Sequence, residues 1–241
     1  MAILSWRTFC ALPQVFRQFR KILEQLFEIG NASLFMACLL SVFIGGVLAL
    51  QTGPVMVEQG LSGVVGAVVG LSVCKELAPV MMSILIAGRI GSAMAAEIGS
   101  MAVYQEIDAL RTMNINPVHY LVLPRVIAIC IALPCLVIFA DLIGWVGGAV
   151  VSSTNPAIDI PWQGYFKSLA RVVDGKAVIN GLIKSLIFAF IIGFVSCHQG
   201  LTTIGGPRGI GRSVTKAVVN SIILILIVDY FASRVLLQLD I

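Results

Sequence analysis

Charge is what this chain has least of. Lysine, arginine, aspartate and glutamate make up 12% of its 241 residues, about half the ~25% of a soluble protein. Apolar residues reach 59%, and the mean hydropathy is +1.00. So little charge could not cover the outside of a soluble fold of this size. That excludes a soluble enzyme, a disordered chain and a nucleic-acid-binding domain. A G-x-x-x-x-G-K-[ST] loop, an H-E-x-x-H pair and a Ser/His/Asp set are also absent, so no catalytic residues and no ATP site are expected on this chain. The six cysteines form no C-x-x-C pair, and His119 and His198 stand far apart. The cysteines read as buried free thiols, and no metal site is expected. What remains is an all-α polytopic membrane protein.

A helix crossing ~30 Å of hydrocarbon takes roughly 20 mostly apolar residues. Five such stretches fall at about 34–52, 62–98, 126–151, 178–197 and 217–237. The second is long and broken by Lys75, Glu76 and Pro79; it reads as one helix kinked at Pro79 or as two half-helices. With the N-terminus in the cytoplasm, the inner segments carry Arg7, Arg17, Arg20, Lys21, Arg111, Arg125, Arg208, Arg212 and Lys216, nine cations. The outer segments carry four: Lys167, Arg171, Lys176 and Arg234. This bias predicts an inner N-terminus and an outer C-terminus, which five crossings satisfy.

Residues 1–30 do not read as a signal peptide, because the apolar run begins too late. Val15, Phe16, Phe19, Ile22, Leu23, Leu26 and Phe27 recur at helical spacing, with charges filling much of the other face. They predict an amphipathic helix in the cytoplasmic interface, anchored by Trp6 and Phe9, or one packed on a partner protein. Residues 31–241 form the remaining single domain. Residues 152–176 have room for a short outer helix, and Gly205–Gly211 reads as a flexible connector. A helix at about 100–115 carries the apolar stripe Val103, Ile107 and Leu110, is ended by Pro117, and offers its polar face from the cytoplasmic side.

Ionisable residues at membrane depth are functional candidates by default. Arg89 and Glu97 lie eight apart, so a regular helix places them on one face. Asp141 and Asp229 stand singly in the third and fifth spans. They read either as ion sites of an ion-coupled transporter or as packing partners of Arg89 or Lys184.

Four ordered blocks then resemble one family. They are Lys75-Glu76-Leu77-Ala78-Pro79, Ala87-Gly88-Arg89-Ile90-Gly91-Ser92-Ala93, Ala96-Glu97-Ile98-Gly99 and Gln105-Glu106-Ile107-Asp108-Ala109-Leu110. With Asn116-Pro117, Leu123-Pro124-Arg125 and a second region from Gly205-Gly206 through Thr215 to Asp229, they are similar to the MlaE/YrbE permeases of MCE-type ABC lipid transport systems. One position departs: Val214 stands where the family usually has a threonine before Thr215. The resemblance implies a permease in the bacterial inner membrane that works as a homodimer with two ATPase subunits. It also implies a periplasmic MCE-domain protein, often a small STAS-domain protein, and phospholipid cargo. It implies no cofactor on this chain, with ATP and Mg on the partner ATPase. Tyr104, Gln105, Glu106, Ile107, Asp108, Ala109 and Leu110 would form the coupling helix. Leu50, Glu76, Arg89, Glu97 and Asp229 are candidates for the lipid cavity or its gate.

Overall fold

The computed structural model describes residues 19–238, and every regular element among them is a helix. We number them α1 (Phe19–Glu58), α2 (Ser62–Val103), α3 (Glu106–Thr112), α4 (Val118–Thr154), α5 (Trp162–Val172), α6 (Gly175–Leu201) and α7 (Gly206–Gln238). Five of them, α1, α2, α4, α6 and α7, are long and apolar enough to cross a membrane. This is a multi-pass membrane protein.

The helices begin earlier than hydropathy alone places them. α1 runs unbroken for 40 residues, roughly 60 Å at 1.5 Å per residue. It joins the amphipathic stretch from Phe19 to the first span without a boundary at residue 30. Nothing between Ile29 and Leu34 breaks helical register, so the polar and apolar parts share one rod. The anchors expected at Trp6 and Phe9 lie outside the described residues. The Gly-rich connector is likewise shorter than expected. Only Gly205 and Gly206 adopt positive φ, +91° and +68°, a conformation glycine enters without Cβ strain. Pro207 through Gly211 already form the first turns of α7, with proline at a helix start where its missing N–H is harmless.

Prolines do not end these helices: Pro54 and Pro134 sit within ordinary α-helix, and wider turns precede Pro79 and Pro124. A proline clashes with the carbonyl four residues earlier and removes one bond. α2 is one continuous element with π turns at Val73–Leu77 and Ala87–Gly91. The first π turn holds Lys75, whose carbonyl Pro79 would otherwise strike. The helix is continuous through Pro79, so two separate half-helices are not present. α4 repeats the device: the π turn Val118–Val122 holds Tyr120, four residues before Pro124. Pro117 starts this helix rather than ending the one before it.

The described residues fall into two compact units. One comprises those up to Ser33, Ser83–Leu133 and Leu186–Phe231. Here α2 and α6 approach through small residues. A Cβ on Gly91 would press on Ser196, one on Gly200 on Ile98, and one on Gly99 on Thr203. The other unit comprises Leu34–Met82, Pro134–Ser185 and the residues from Ala232. There α1 lays a seam of Ala37, Ser41, Gly45, Ala49 and Gly53, all buried at four-residue spacing. A Cβ on Gly45 would overlap the Gly144 carbonyl of α4, and one on Gly147 the Val42 backbone. Such contacts replace the hydrophobic drive that lipid cannot supply. In the same unit α5 packs on the start of α2, with Tyr165, Ser168 and Leu169 buried against Gly66 and Gly70.

Outside these seams the helices are bare. In their most apolar stretches α1 is 33% buried and α7 17%, against 50–56% for the other three. The expectation of buried cysteines holds for Cys74 and Cys197, but Cys135 is exposed. Ile131, Ile138 and Phe139 of the same helix are exposed too, so this surface is not part of the core among the described residues.

Two stability outcomes follow. Gly45→Ala should lower stability by about 1–3 kcal/mol through overpacking. Gly30→Ala, with open space around it, should raise it by up to about 1 kcal/mol. Thermal unfolding in detergent reads both. The Tyr165 hydroxyl is buried and makes no hydrogen bond among the described residues, and burial pushes its ionisation upward. The neutral phenol therefore costs the fold nothing extra until pH passes its ordinary value of about 10, above which the unfolded chain gains by ionising. Tyr165→Phe should be neutral or stabilising at pH 7 and should reduce the loss of stability above pH 10.

Candidate functional site

The short α3 is set between two left-handed residues, Gln105 (φ 60°) and Asn114 (φ 58°). The Gln105 carbonyl accepts from the amides of Asp108 (3.1 Å) and Ala109 (3.0 Å), which starts the helix after the chain has turned out of α2. The element is shorter than expected at about 100–115: residues up to Val103 belong to α2, and the two positive-φ turns set off seven residues between them. Ile107 is buried and anchors it. Tyr104, Gln105, Glu106, Asp108 and Ala109 are exposed, and Leu110 is half-buried. Asp108 accepts from Arg111 at 2.9 Å, an exposed contact worth little by itself. What α3 presents is a small acidic surface with an aromatic ring beside it, on a rigid base.

The charges at membrane depth are placed differently from their sequence pairing. Arg89 does not meet Glu97. The intervening π turn shifts the helical register, and the Arg89 guanidinium donates to the Ala32 carbonyl of α1. Glu97 instead accepts from Arg125 of α4 at 2.8 Å. Asp229, half-buried on α7, lies in the same unit as these residues.

In the other unit Glu76, on the first π turn of α2, accepts from Lys184 of α6 at 2.7 Å. Lys184 also donates to the Ser233 hydroxyl at 2.7 Å, and Ser233 donates to Glu76 at 3.0 Å. Three helices are thereby closed into one polar triangle. The Lys184 side chain is 2% exposed and that of Glu76 47%, so the triangle is buried from the cation side and open from the acid side. Lys184 was legible as a lone cation in an apolar run, which must find an acceptor. The hydroxyl of Ser233 carried no such signal. Leu50, in this unit, is exposed on α1. Asp141 pairs with neither Arg89 nor Lys184. Its carboxylate faces the Cys74 thiol at 3.6 Å. Among the described residues no group of His, Cys, Asp and Glu could hold a metal ion.

The triangle generates a double-mutant prediction. Glu76→Gln removes a charged acceptor from a buried ammonium and should destabilise by about 1–3 kcal/mol, less than a fully buried pair because Glu76 is half open to its surroundings. Lys184→Met should cost a similar amount. The double variant should cost less than the sum, and thermal unfolding of all four forms in detergent measures the coupling.

Comparison with known proteins gives the family. The family described as Permease MlaE matches residues 22–235. A probable ABC transporter permease protein of Rickettsia prowazekii is 39% identical over 237 residues, covering 97% of this chain and 91% of the relative. One of Synechocystis is 40% identical over 223 residues, covering 91% and 82%. The chloroplastic protein TRIGALACTOSYLDIACYLGLYCEROL 1 of Arabidopsis thaliana is 38% identical over 219 residues, covering 91% of this chain and 62% of the relative. With a match from end to end of the five long helices, this chain belongs to the MlaE permease family and is a membrane permease subunit, not an enzyme.

Proposed function

We propose that two copies of this chain form the membrane part of an ABC transporter that moves phospholipid or a related lipid, driven by ATPase subunits that are separate chains. The observation that carries this reading is α3. A seven-residue helix held between two spans by Ile107, with Tyr104, Glu106 and Asp108 turned outward, suits docking in a groove of a soluble partner. The chain has no phosphate-binding loop, so ATP would be hydrolysed on another chain. Closing of the ATPase pair would reach the spans through α3, which is joined to α2 by a two-residue turn and can move it as a lever.

Lipid as cargo is supported by the bare sides of α1 and α7. Leu39, Phe43, Val47 and Leu50 line one, and Ile223, Ile227, Tyr230 and Phe231 the other. Two copies meeting on these helices would enclose an apolar space, where acyl tails need no polar partner. Glu76, Arg89, Glu97 and Asp229 would supply the polar and gating contacts along it. The Arabidopsis relative bears the name of a diacylglycerol lipid, which fits this cargo class. The family resemblance adds a bacterial inner membrane, a cytoplasmic N-terminus, a periplasmic C-terminus and an MCE-domain protein on the periplasmic side, often with a STAS-domain protein on the ATPase.

The test is purification of the full chain from its own membrane, with identification of the proteins and lipids that stay bound. An ATPase, an MCE protein and phospholipid should co-purify. Glu106→Lys with Asp108→Lys should cut ATPase recovery by about tenfold or more, as reversal of charges at an interface does, and abolish transport. Both residues are exposed, so the fold should survive. A chain that purifies without ATPase or lipid, and transports regardless of these changes, would instead be an ion-coupled transporter using Asp141 and Asp229.

A further inference from the structure

The turn between α6 and α7 presents a side chain that nothing above uses. Ile204 is 85% exposed, the most exposed large apolar residue among the described residues. One exposed aliphatic side chain is ordinary on a surface. What sets this one apart is how it is held and what stands beside it.

The turn is tied down on both sides of Ile204. The amide of Thr202 donates to the His198 carbonyl and that of Thr203 to the Gly200 carbonyl, both at 3.1 Å. The Thr203 hydroxyl donates to the Gln199 carbonyl at 2.9 Å, and its side chain is buried against Gly99 of α2. After Ile204, Gly205 and Gly206 take positive φ. α7 then starts so close that a Cβ on Gly209 would overlap the Ile204 carbonyl. Thr203 is thus fixed inward, and the next side chain is held outward.

Its neighbour is the end of α2 that leads into α3. All of these residues belong to one unit. Gly91 faces Ser196, Ile98 faces Gly200 and Gly99 faces Thr203, so α2 and α6 run in the same direction. Tyr104 leaves α2 five residues past Gly99, about 7.5 Å further along the axis. Ile204 directly follows Thr203. Both residues therefore project from the same end of the helix pair. That end is polar: His198, Gln199, Thr202 and Thr203 precede Ile204, and Arg208 and Arg212 follow it. It marks the water-facing limit of these spans, where an exposed isoleucine has no acyl chain to meet.

We infer that the α6–α7 turn is a second contact for the ATPase subunit, with Ile204 as an apolar anchor beside α3. The inference rests on the reading of α3 as a docking helix. Interfaces draw most of their energy from a few anchors that leave water, ringed by polar contacts. α3 turns its own isoleucine, Ile107, into the protein and offers acids. Tyr104 and Met113 at its two ends and Ile204 beside it, all more than 60% exposed, supply the apolar part. The second contact also has a mechanical consequence. Through α3 the ATPase reaches α2; through this turn it reaches α6 and α7.

The test uses the detergent-purified complex of the full chain with its co-purifying ATPase. A benzophenone-bearing amino acid at position 204 should cross-link to the ATPase on irradiation. The same group at position 162 of α5, one span away, should not. Ile204→Ala should weaken ATPase binding by about tenfold, as loss of an interface anchor does. Ile204→Glu should weaken it further, and Ile204→Leu should keep it. The side chain is exposed, so each variant should unfold at the wild-type temperature. A cross-link from position 204 only to lipid, or only to a second copy of this chain, overturns the inference. So does wild-type ATPase affinity in Ile204→Glu. If Glu106→Lys with Asp108→Lys releases the ATPase while Ile204→Glu does not, the second contact fails and docking by α3 stands. If the wild type recovers no ATPase, both fail.

Discussion

In hydrocarbon no water is available to bond a peptide group, so each backbone N–H and C=O must find its partner within the chain. Much of this structure follows from that constraint. It makes the five long elements helices, and it keeps them continuous through positions that would break a soluble helix. Pro79 and Pro124 are each accommodated by a five-residue π turn that contains the carbonyl they would strike. The first of these turns carries Glu76 on α2, while Arg89 lies on a separate π turn that no proline follows. The backbone solution to a proline thus also decides where a charged side chain points.

The second consequence concerns association. Among apolar helices in lipid, burial of another leucine gains little, and close backbone approach gains more. The seam of Ala37, Ser41, Gly45, Ala49 and Gly53 on α1 is the result: the small residues face the protein, and the phenylalanines and leucines face away. This inverts the soluble pattern, in which the large apolar side chains mark the core. It also leaves α1 and α7 with wide bare faces.

Charge is the third. A lysine enclosed as Lys184 is must be met by acceptors, and it closes a triangle with Glu76 and Ser233 across three helices. Arg89 bonds a backbone carbonyl of α1, and Arg125 holds Glu97. Each of these contacts ties a helix to a neighbour at one height, which apolar packing alone does not specify. A transporter that changes shape must exchange such contacts, and so few charges leave few places for that to happen.

Much of this was determined by the sequence alone. Five apolar stretches with little charge between them leave no other fold class, and ordered blocks from Lys75 to Leu110 mark the family. The exposure of Glu106 and Asp108 was also legible, because local helical spacing sets both acids off the apolar stripe that holds Ile107. What only the tertiary structure decided were features that depend on neighbours or on backbone detail. Arg89 and Glu97 are eight positions apart, a same-face spacing on a regular helix, but a π turn and the competing partners Ala32 and Arg125 separate them. The helix runs through residue 30 because helix propagation, once nucleated, continues at little cost. The Gly-rich connector shrinks to two glycines because Pro207 favours a helix start. Ser233 joins Lys184, and Lys21 joins Tyr120, only when helices distant in sequence come side by side. Periodicity along one chain carries the faces of each helix; it carries no information on which face another helix will meet.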